Sequence, residues 1–216
     1  MTLIKKSITD YYTEKYLQFG DSPKGVDWKN LETQQLRLKI IVDELCYVKT
    51  RSFSILDVGC GTGALYESLK ERIKDSFSYT GVDYVSKMLE VAVEKYKVYK
   101  NVKFYNMELK NILEKFDFVV ASGIFNVKMT IREDEWISNM KETLKLMFSH
   151  CTKAMVFNVL TNLVDYTEDR LFYSDPNYML TFCQNNISRF IKLNHGYHLY
   201  EYTMTVYTEE YIKSLS

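Results

Sequence analysis

The sequence predicts a doubly wound α/β fold, a mostly parallel sheet with helices on both faces that closes in an antiparallel hairpin. Three observations carry this. From residue 53 onward, short apolar runs alternate with stretches of helical period, the rhythm of strand and crossover helix. Residues 53–64, FSILDVGCGTGA, run from a strand-like segment through glycines at 59, 61 and 63 into a helical stretch. At the C-terminal end, strand-like segments 189–193 and 200–207, the latter alternating Tyr200, Tyr202, Met204 and Val206 with Glu201, Thr203, Thr205 and Tyr207, flank a turn made of His195, Gly196, Tyr197 and His198.

Composition sets the outer limits. The 216 residues suit one core with a small cap, and a hydrophobic share of 46% is enough to fill it. Twenty-eight basic residues balance 28 acidic ones, so no field of one sign points to nucleic acid or an anionic membrane. Cys46, Cys60, Cys151 and Cys183 show neither paired metal-ligand spacing nor the density of a secreted scaffold. No apolar run is long enough to cross a bilayer, and the start of the chain lacks a signal-type apolar stretch. A soluble cytoplasmic protein without a metal centre is the expectation, and a homodimer stays open. Eighteen tyrosines fit either aromatic packing or an apolar pocket with polar rims, and composition does not choose.

Taken in order, residues 5–19 place Ile8, Tyr11, Tyr12, Tyr16 and Leu17 at helical spacing, and Gly20 ends the helix. Residues 31–48 repeat the pattern with Leu31, Leu38, Ile41, Val42 and Leu45 on one face. Residues 1–50 thus read as a helical cap and 51–216 as the core. Within the core, strands are expected at 53–58, 77–83, 102–105, 116–121 and 154–160. Helices are expected at 64–73, after Ser86 as cap, at 133–148 with the stripe Trp136, Met140, Leu144 and Met147, and after Asp175 and Pro176. Residues 161–173 are polar and read as a loop.

The glycine turn is a nucleotide-binding signal. It lets the backbone approach a ligand while the following helix offers its amide end. Spacing alone does not name the nucleotide: GCGTGA also satisfies the dinucleotide fingerprint, and Asp83 lies about 20 residues beyond it, where that fingerprint expects an acid. A carboxylate at the end of the second strand accepts two hydrogen bonds from vicinal ribose hydroxyls in either case.

The wording LDVGCGTG with GVD resembles the class I S-adenosylmethionine-dependent methyltransferases, whose sheet is Rossmann-like with a final antiparallel hairpin. The resemblance implies S-adenosyl-L-methionine as cofactor. Asp57 then helps orient its methionyl part, Gly59, Cys60, Gly61 and Gly63 form the loop beneath it, and Asp83 holds the ribose with Tyr84 beside it. Met107 and either Asn106 or Glu108 enclose the adenine, Met88 is a further cofactor-binding residue, and Ser122 and Gly123 follow the fourth strand next to the sulfonium. Tyr12, Tyr16, Trp28 and Arg37 are the cap residues that cover the cofactor, with lid packing as the plainer role for the aromatics.

The stretch after the fourth strand lacks the Asn/Asp-Pro-Pro-aromatic motif of amino-group methyltransferases acting on nucleic acid. Asn126, Tyr166, Arg170, Tyr173, Tyr197 and His198 are the candidate substrate wall, and His195 the candidate base for removing a hydroxyl proton. The reading is methyl transfer to a small polar metabolite, foremost O-methylation and in one version of a sugar or surface-polysaccharide precursor. N-methylation, a nicotinamide-dependent oxidoreductase and an RNA methyltransferase are the alternatives.

Overall fold

A computed structural model describes residues 3–47, 52–73 and 77–215. The chain forms two compact units, Met1–Leu113 and Glu114–Ser216. The expected boundary between cap and core at 50/51, and Val48 at the end of the second helix, lie outside the described residues.

In the first unit, α1 (Leu3–Phe19) and α2 (Leu31–Tyr47) precede β1 (Phe53–Val58), α3 (Ala64–Ile73), β2 (Phe77–Val82), α4 (Ser86–Tyr96) and β3 (Val102–Tyr105). The strands run parallel in the order β3-β2-β1. Their register sets Ile55 opposite Tyr79 and Asp57 opposite Gly81. Because side chains alternate along a strand, Asp57 and Tyr79 share one face as diagonal neighbours, with no side chain at Gly81 to separate them.

That face carries an aromatic cluster. The Tyr66 ring of α3 lies 5.7 Å from Phe77, 5.4 Å from Tyr79 and 4.9 Å from Tyr96, centroid to centroid. Phe104 stacks on Tyr96 at 5.8 Å. Rings in this range add to the apolar area they bury, so these tyrosines pack the core.

The second unit holds β4 (Phe116–Ala121), α5 (Glu133–Ser149), β5 (Cys151–Leu160), α6 (Pro176–Asn186), β6 (Ile191–Asn194), β7 (Glu201–Tyr207) and α7 (Glu209–Lys213). The order is β4-β5-β7-β6; β4 and β5 are parallel, and β7 is antiparallel to both its neighbours. The stripe Trp136, Met140, Leu144 and Met147 is buried, worth about 1.5–3 kcal/mol per fully buried side chain. Asp175 caps α6 by accepting from the Asn177 N–H at 2.8 Å, with Pro176 in the first turn.

Several local expectations are corrected. Ser86 is the first helical residue of α4 rather than its cap: the cap position is Val85, which makes no side-chain bond. No residue of α1 is buried, and Leu17 and Leu31 are exposed. Strand β7 is buried at every position rather than at alternate ones, because it is an interior strand.

The glycine turn is held by packing as well as by dihedral freedom. Gly63 sits at φ +84°, and a Cβ there would come within 2.6 Å of Tyr96 Cε2. Tyr96 Oη also donates to the Gly63 carbonyl at 3.1 Å. Gly63→Ala is expected to lower the unfolding free energy by roughly 2–4 kcal/mol, combining left-handed strain with overpacking. Tyr96→Ala in the same chain should return less than half of that loss, since it relieves the clash and not the dihedral; urea unfolding of the single and double variants measures both.

Candidate functional site

In the first unit the carboxyl ends of β1 and β2 and the glycine turn form one bonded assembly. The Gly59 and Cys60 N–H groups donate to the Val82 carbonyl at 2.8 and 3.1 Å, and the Gly63 N–H to the Cys60 carbonyl at 2.9 Å. The Gly61 N–H donates to Asp83 Oδ2 at 2.8 Å, and the Val85 N–H to Asp83 Oδ1 at 2.9 Å. A Cβ on Gly81 would stand 2.7 Å from Cys60 Sγ and 2.8 Å from Phe104 Cδ1, so this glycine is demanded by the loop lying on the strand.

Two carboxylates meet here without a cation. Asp57 is 2% exposed and accepts from Tyr79 Oη at 2.6 Å through Oδ2. Burial pushes its carboxyl up to about 7, with Tyr79 acting in the opposite direction and the Asp83 charge adding to the rise. Burial also raises the carboxyl of half-buried Asp83, offset by the N–H groups of Val85, Gly61 and Tyr84. The Cys60 thiol is pushed well above its ordinary value by burial and by both carboxylates, which keeps it protonated. Among the described residues no ion pair involves Asp57 or Asp83. The Gly61 and Val85 N–H groups go to different Asp83 oxygens, which leaves the carboxylate capacity to accept from a ligand. This donor set fits S-adenosylmethionine: vicinal hydroxyls suit Asp83, and a net positive ligand suits two uncompensated carboxylates.

The rim is built from the sites named for adenine. Asn106 Nδ2 donates to the Tyr84 carbonyl at 3.1 Å and to Ser86 Oγ at 3.0 Å. Glu108 pairs with Lys5 and Lys110, each at 2.8 Å, which holds its carboxyl down at about 2. The Lys5 ammonium also lies 4.2 Å from the centre of the Tyr84 ring. Met88 is buried beneath the turn, its Sδ 3.8 Å from where a Gly61 Cβ would stand, and Met107 is half-buried.

Among the cap residues, the Arg37 guanidinium lies over Trp28 at 4.2 Å and donates to the Thr33 carbonyl at 3.2 Å. Tyr12 packs edge-on against Tyr11 at 5.2 Å, and the Tyr16 carbonyl accepts from the Gly20 N–H at 2.8 Å. The loop between α1 and α2 reaches the glycine turn directly, because Thr62 Oγ1 donates to Asp21 Oδ1 at 2.7 Å. A groove of about 660 Å³ opens beside this bond, with Gln34, Lys39, Asp43, Ser68 and Arg72 in its walls.

In the second unit, Gly123 follows β4 at φ +76° and its N–H donates to Asn158 Oδ1 at 2.8 Å. Asn158 Nδ2 in turn donates to Glu201, which is fully buried. Ser122 is half-buried, while Asn126 is buried and accepts from the Leu160 N–H at 3.2 Å. Tyr197 Oη and Thr203 Oγ1 are 2.8 Å apart, and Tyr202 Oη donates to buried Ser174 Oγ at 2.7 Å. His195 meets the Tyr202 ring edge-on at 6.0 Å. Tyr173 Oη accepts from the Glu168 N–H at 3.1 Å, and Arg170 pairs with Glu168 at 3.0 Å. Tyr166 and His198 are exposed.

Sequence reasoning passed over Tyr79, Asp21 and Lys5. Tyr79 had a signal, since it stands two positions before Gly81 and so on the Asp57 face. Asp21 and Lys5 lie in a loop and a helix with no pattern that marks them.

A family model described as a methyltransferase domain matches residues 55–146. A Mycobacterium tuberculosis protein named as a methyltransferase is 35% identical over 156 residues, 71% of this chain and 92% of that protein. The malonyl-[acyl-carrier protein] O-methyltransferase of Bacillus cereus is 30% identical over 106 residues, 48% of this chain and 35% of its own length. Among solved structures, the magnesium protoporphyrin IX methyltransferase of Synechocystis PCC 6803 with bound S-adenosylmethionine shares the fold. Its TM-score is 0.66, with 16% identity, over 96% of this chain and 99% of that one.

The raised Asp57 carboxyl fixes a pH dependence of stability. Unfolding restores its ordinary value near 3.8, so the unfolded chain loses this proton first as pH rises. The contribution of Asp57 to the stability of the ligand-free protein therefore falls between about pH 4 and pH 7 and levels off above. Against wild type, Asp57→Asn should gain on the order of 2–4 kcal/mol of relative stability across that window. Chemical unfolding at several pH values checks it; a difference that does not vary with pH assigns the effect elsewhere.

Proposed function

The chain belongs to the class I S-adenosylmethionine-dependent methyltransferases, and from that premise we propose that it methylates a hydroxyl oxygen of a small polar metabolite. That it is an enzyme using S-adenosyl-L-methionine follows from the family; the acceptor and the roles of individual residues are our reading. When bound, the cofactor supplies an electrophilic methyl group on a positively charged sulfur. Asp83 and the Gly61 turn hold the ribose, Asp57 the methionyl end, Tyr84, Met88 and Met107 the adenine, and Ser122 and Gly123 the surroundings of the sulfonium. Tyr12, Tyr16, Trp28 and Arg37 cover the site and exclude water, so that the rate gain comes from orientation and desolvation.

The observation that favours oxygen is the chemistry around the β6–β7 turn and the 161–175 segment. Tyr197 is bonded to Thr203 and Tyr202 to Ser174 beside His195, whose ring lies edge-on to Tyr202. A wall rich in hydroxyl side chains suits a hydroxylated ligand such as a sugar, and in our reading His195 takes the acceptor's proton. Asn126, Tyr166, Arg170, Tyr173, Tyr197 and His198 complete the acceptor wall in this reading. The Bacillus relative named as an O-methyltransferase supports the same choice.

RNA is the less favoured acceptor. Twenty-eight basic residues are matched by 28 acidic ones, so no net positive charge favours a phosphate backbone. A reducing, cytoplasmic setting accords with four cysteines that are all free thiols.

Titration of the protein with S-adenosylhomocysteine should give micromolar binding that Asp83→Ala weakens by about 100-fold or more, the loss of a two-bond carboxylate. Screening hydroxylated and amine acceptors with labelled methyl donor should then find transfer to oxygen. His195→Ala should lower kcat by about 100-fold with cofactor affinity unchanged. Transfer to nitrogen alone, or full activity without His195, removes this reading.

A further inference from the structure

We propose that Tyr79 is a positioning residue of the cofactor site: its hydroxyl, donating to Asp57 Oδ2 at 2.6 Å, fixes that carboxylate in its charged form and aims it at the cofactor's ammonium group. The inference rests on reading Asp57 as the carboxylate that holds the methionyl end.

The geometry leaves Tyr79 little else to do. Its ring is fixed by Tyr66 at 5.4 Å and Phe104 at 5.7 Å, and it is almost wholly buried. The register puts Gly81 opposite Asp57, so the tyrosine reaches diagonally across the empty position with its hydroxyl at the end of the sheet. A phenylalanine would fill the same volume. A buried hydroxyl costs solvation unless it is bonded, and its partner here is the acid of the glycine turn.

The surroundings of Asp57 make the bond consequential. The titratable groups facing it are Tyr79 from β2, Asp83 just beyond β2, and Cys60 from the turn. Asp83 and Cys60 disfavour its charge or leave it unaided, and no cation among the described residues supports it. Among the described residues it is the Tyr79 hydroxyl that stabilises the anion. The tyrosine stays protonated, since burial and the Asp57 charge push its own ionisation far up, so it remains a donor throughout the physiological range. With Asp57 titrating near 7, the bond sets how much of the protein carries the charge at neutral pH.

The test is calorimetric titration with S-adenosylhomocysteine between pH 5.5 and 8.5 for wild type, Tyr79→Phe and Asp57→Asn, each checked for folding by thermal unfolding. Wild-type affinity should rise through a midpoint near neutrality and level off. Tyr79→Phe should move the midpoint up by about one pH unit, with roughly tenfold weaker binding at pH 6.5 narrowing to about twofold at pH 8.5. Asp57→Asn should flatten the profile. An equal loss at every pH marks Tyr79 as structural packing and overturns the inference, as does a Tyr79→Phe profile that overlays wild type. Should Tyr79→Phe not fold, a fluorinated tyrosine at position 79 decides, because a stronger donor must move the midpoint down; an unmoved midpoint overturns the proposal. If Asp57→Asn keeps the wild-type profile, the reading of Asp57 has failed, and the inference falls with it.

Discussion

The structure of the first unit depends on one close approach: the backbone of the glycine turn lies directly on the end of β2. Gly81 permits it by having no side chain where Cys60 rests, and Val82 and Asp83 hold it by accepting from the Gly59, Cys60 and Gly61 amides. Once the turn is seated, Asp57 and Asp83 are both drawn to the same end of the sheet. Neither acid has a cation beside it among the described residues. In the proposed reading a positively charged ligand offsets this clustering of acids.

The second unit is organised by a different device. A chain of hydrogen bonds runs from the Gly123 amide through Asn158 to buried Glu201, tying the residue after β4 to two neighbouring strands. Buried polar groups that are mutually satisfied specify a backbone more sharply than apolar packing does. Asn126 extends the pattern by accepting from the Leu160 amide. The turn after β4 is therefore held by strand-borne side chains rather than by its own sequence.

Much of this was legible in the amino-acid sequence, for physical reasons that differ by element. The strands and the α5 stripe were legible because burial writes a period into the chain, and the glycine turn because few residues tolerate its geometry. The end of the sheet was less so. Tyr79 reads as one more apolar strand position until the register is known, and the Asp21–Thr62 bond joins residues 41 apart with no local mark. Strand β7 misled by its polar letters, since Glu201, Thr203 and Thr205 are buried with the rest. An interior strand takes polar residues when neighbours satisfy them, and the neighbours are not written in the strand itself. The same blindness made the cap look amphipathic: α1 has tyrosines at helical spacing but buries none of them fully.

That last feature has a consequence of its own. The apolar side chains of α1 are only partly covered, and polar contacts add to its attachment: Lys5 to Glu108 and the Tyr84 ring, Lys15 and Tyr11 to Asp27. Attraction between such partly exposed groups weakens as mobile ions gather around them, over a Debye length of about 8 Å at physiological ionic strength. The N-terminal helix is thus fastened in part by an electrolyte-sensitive clasp.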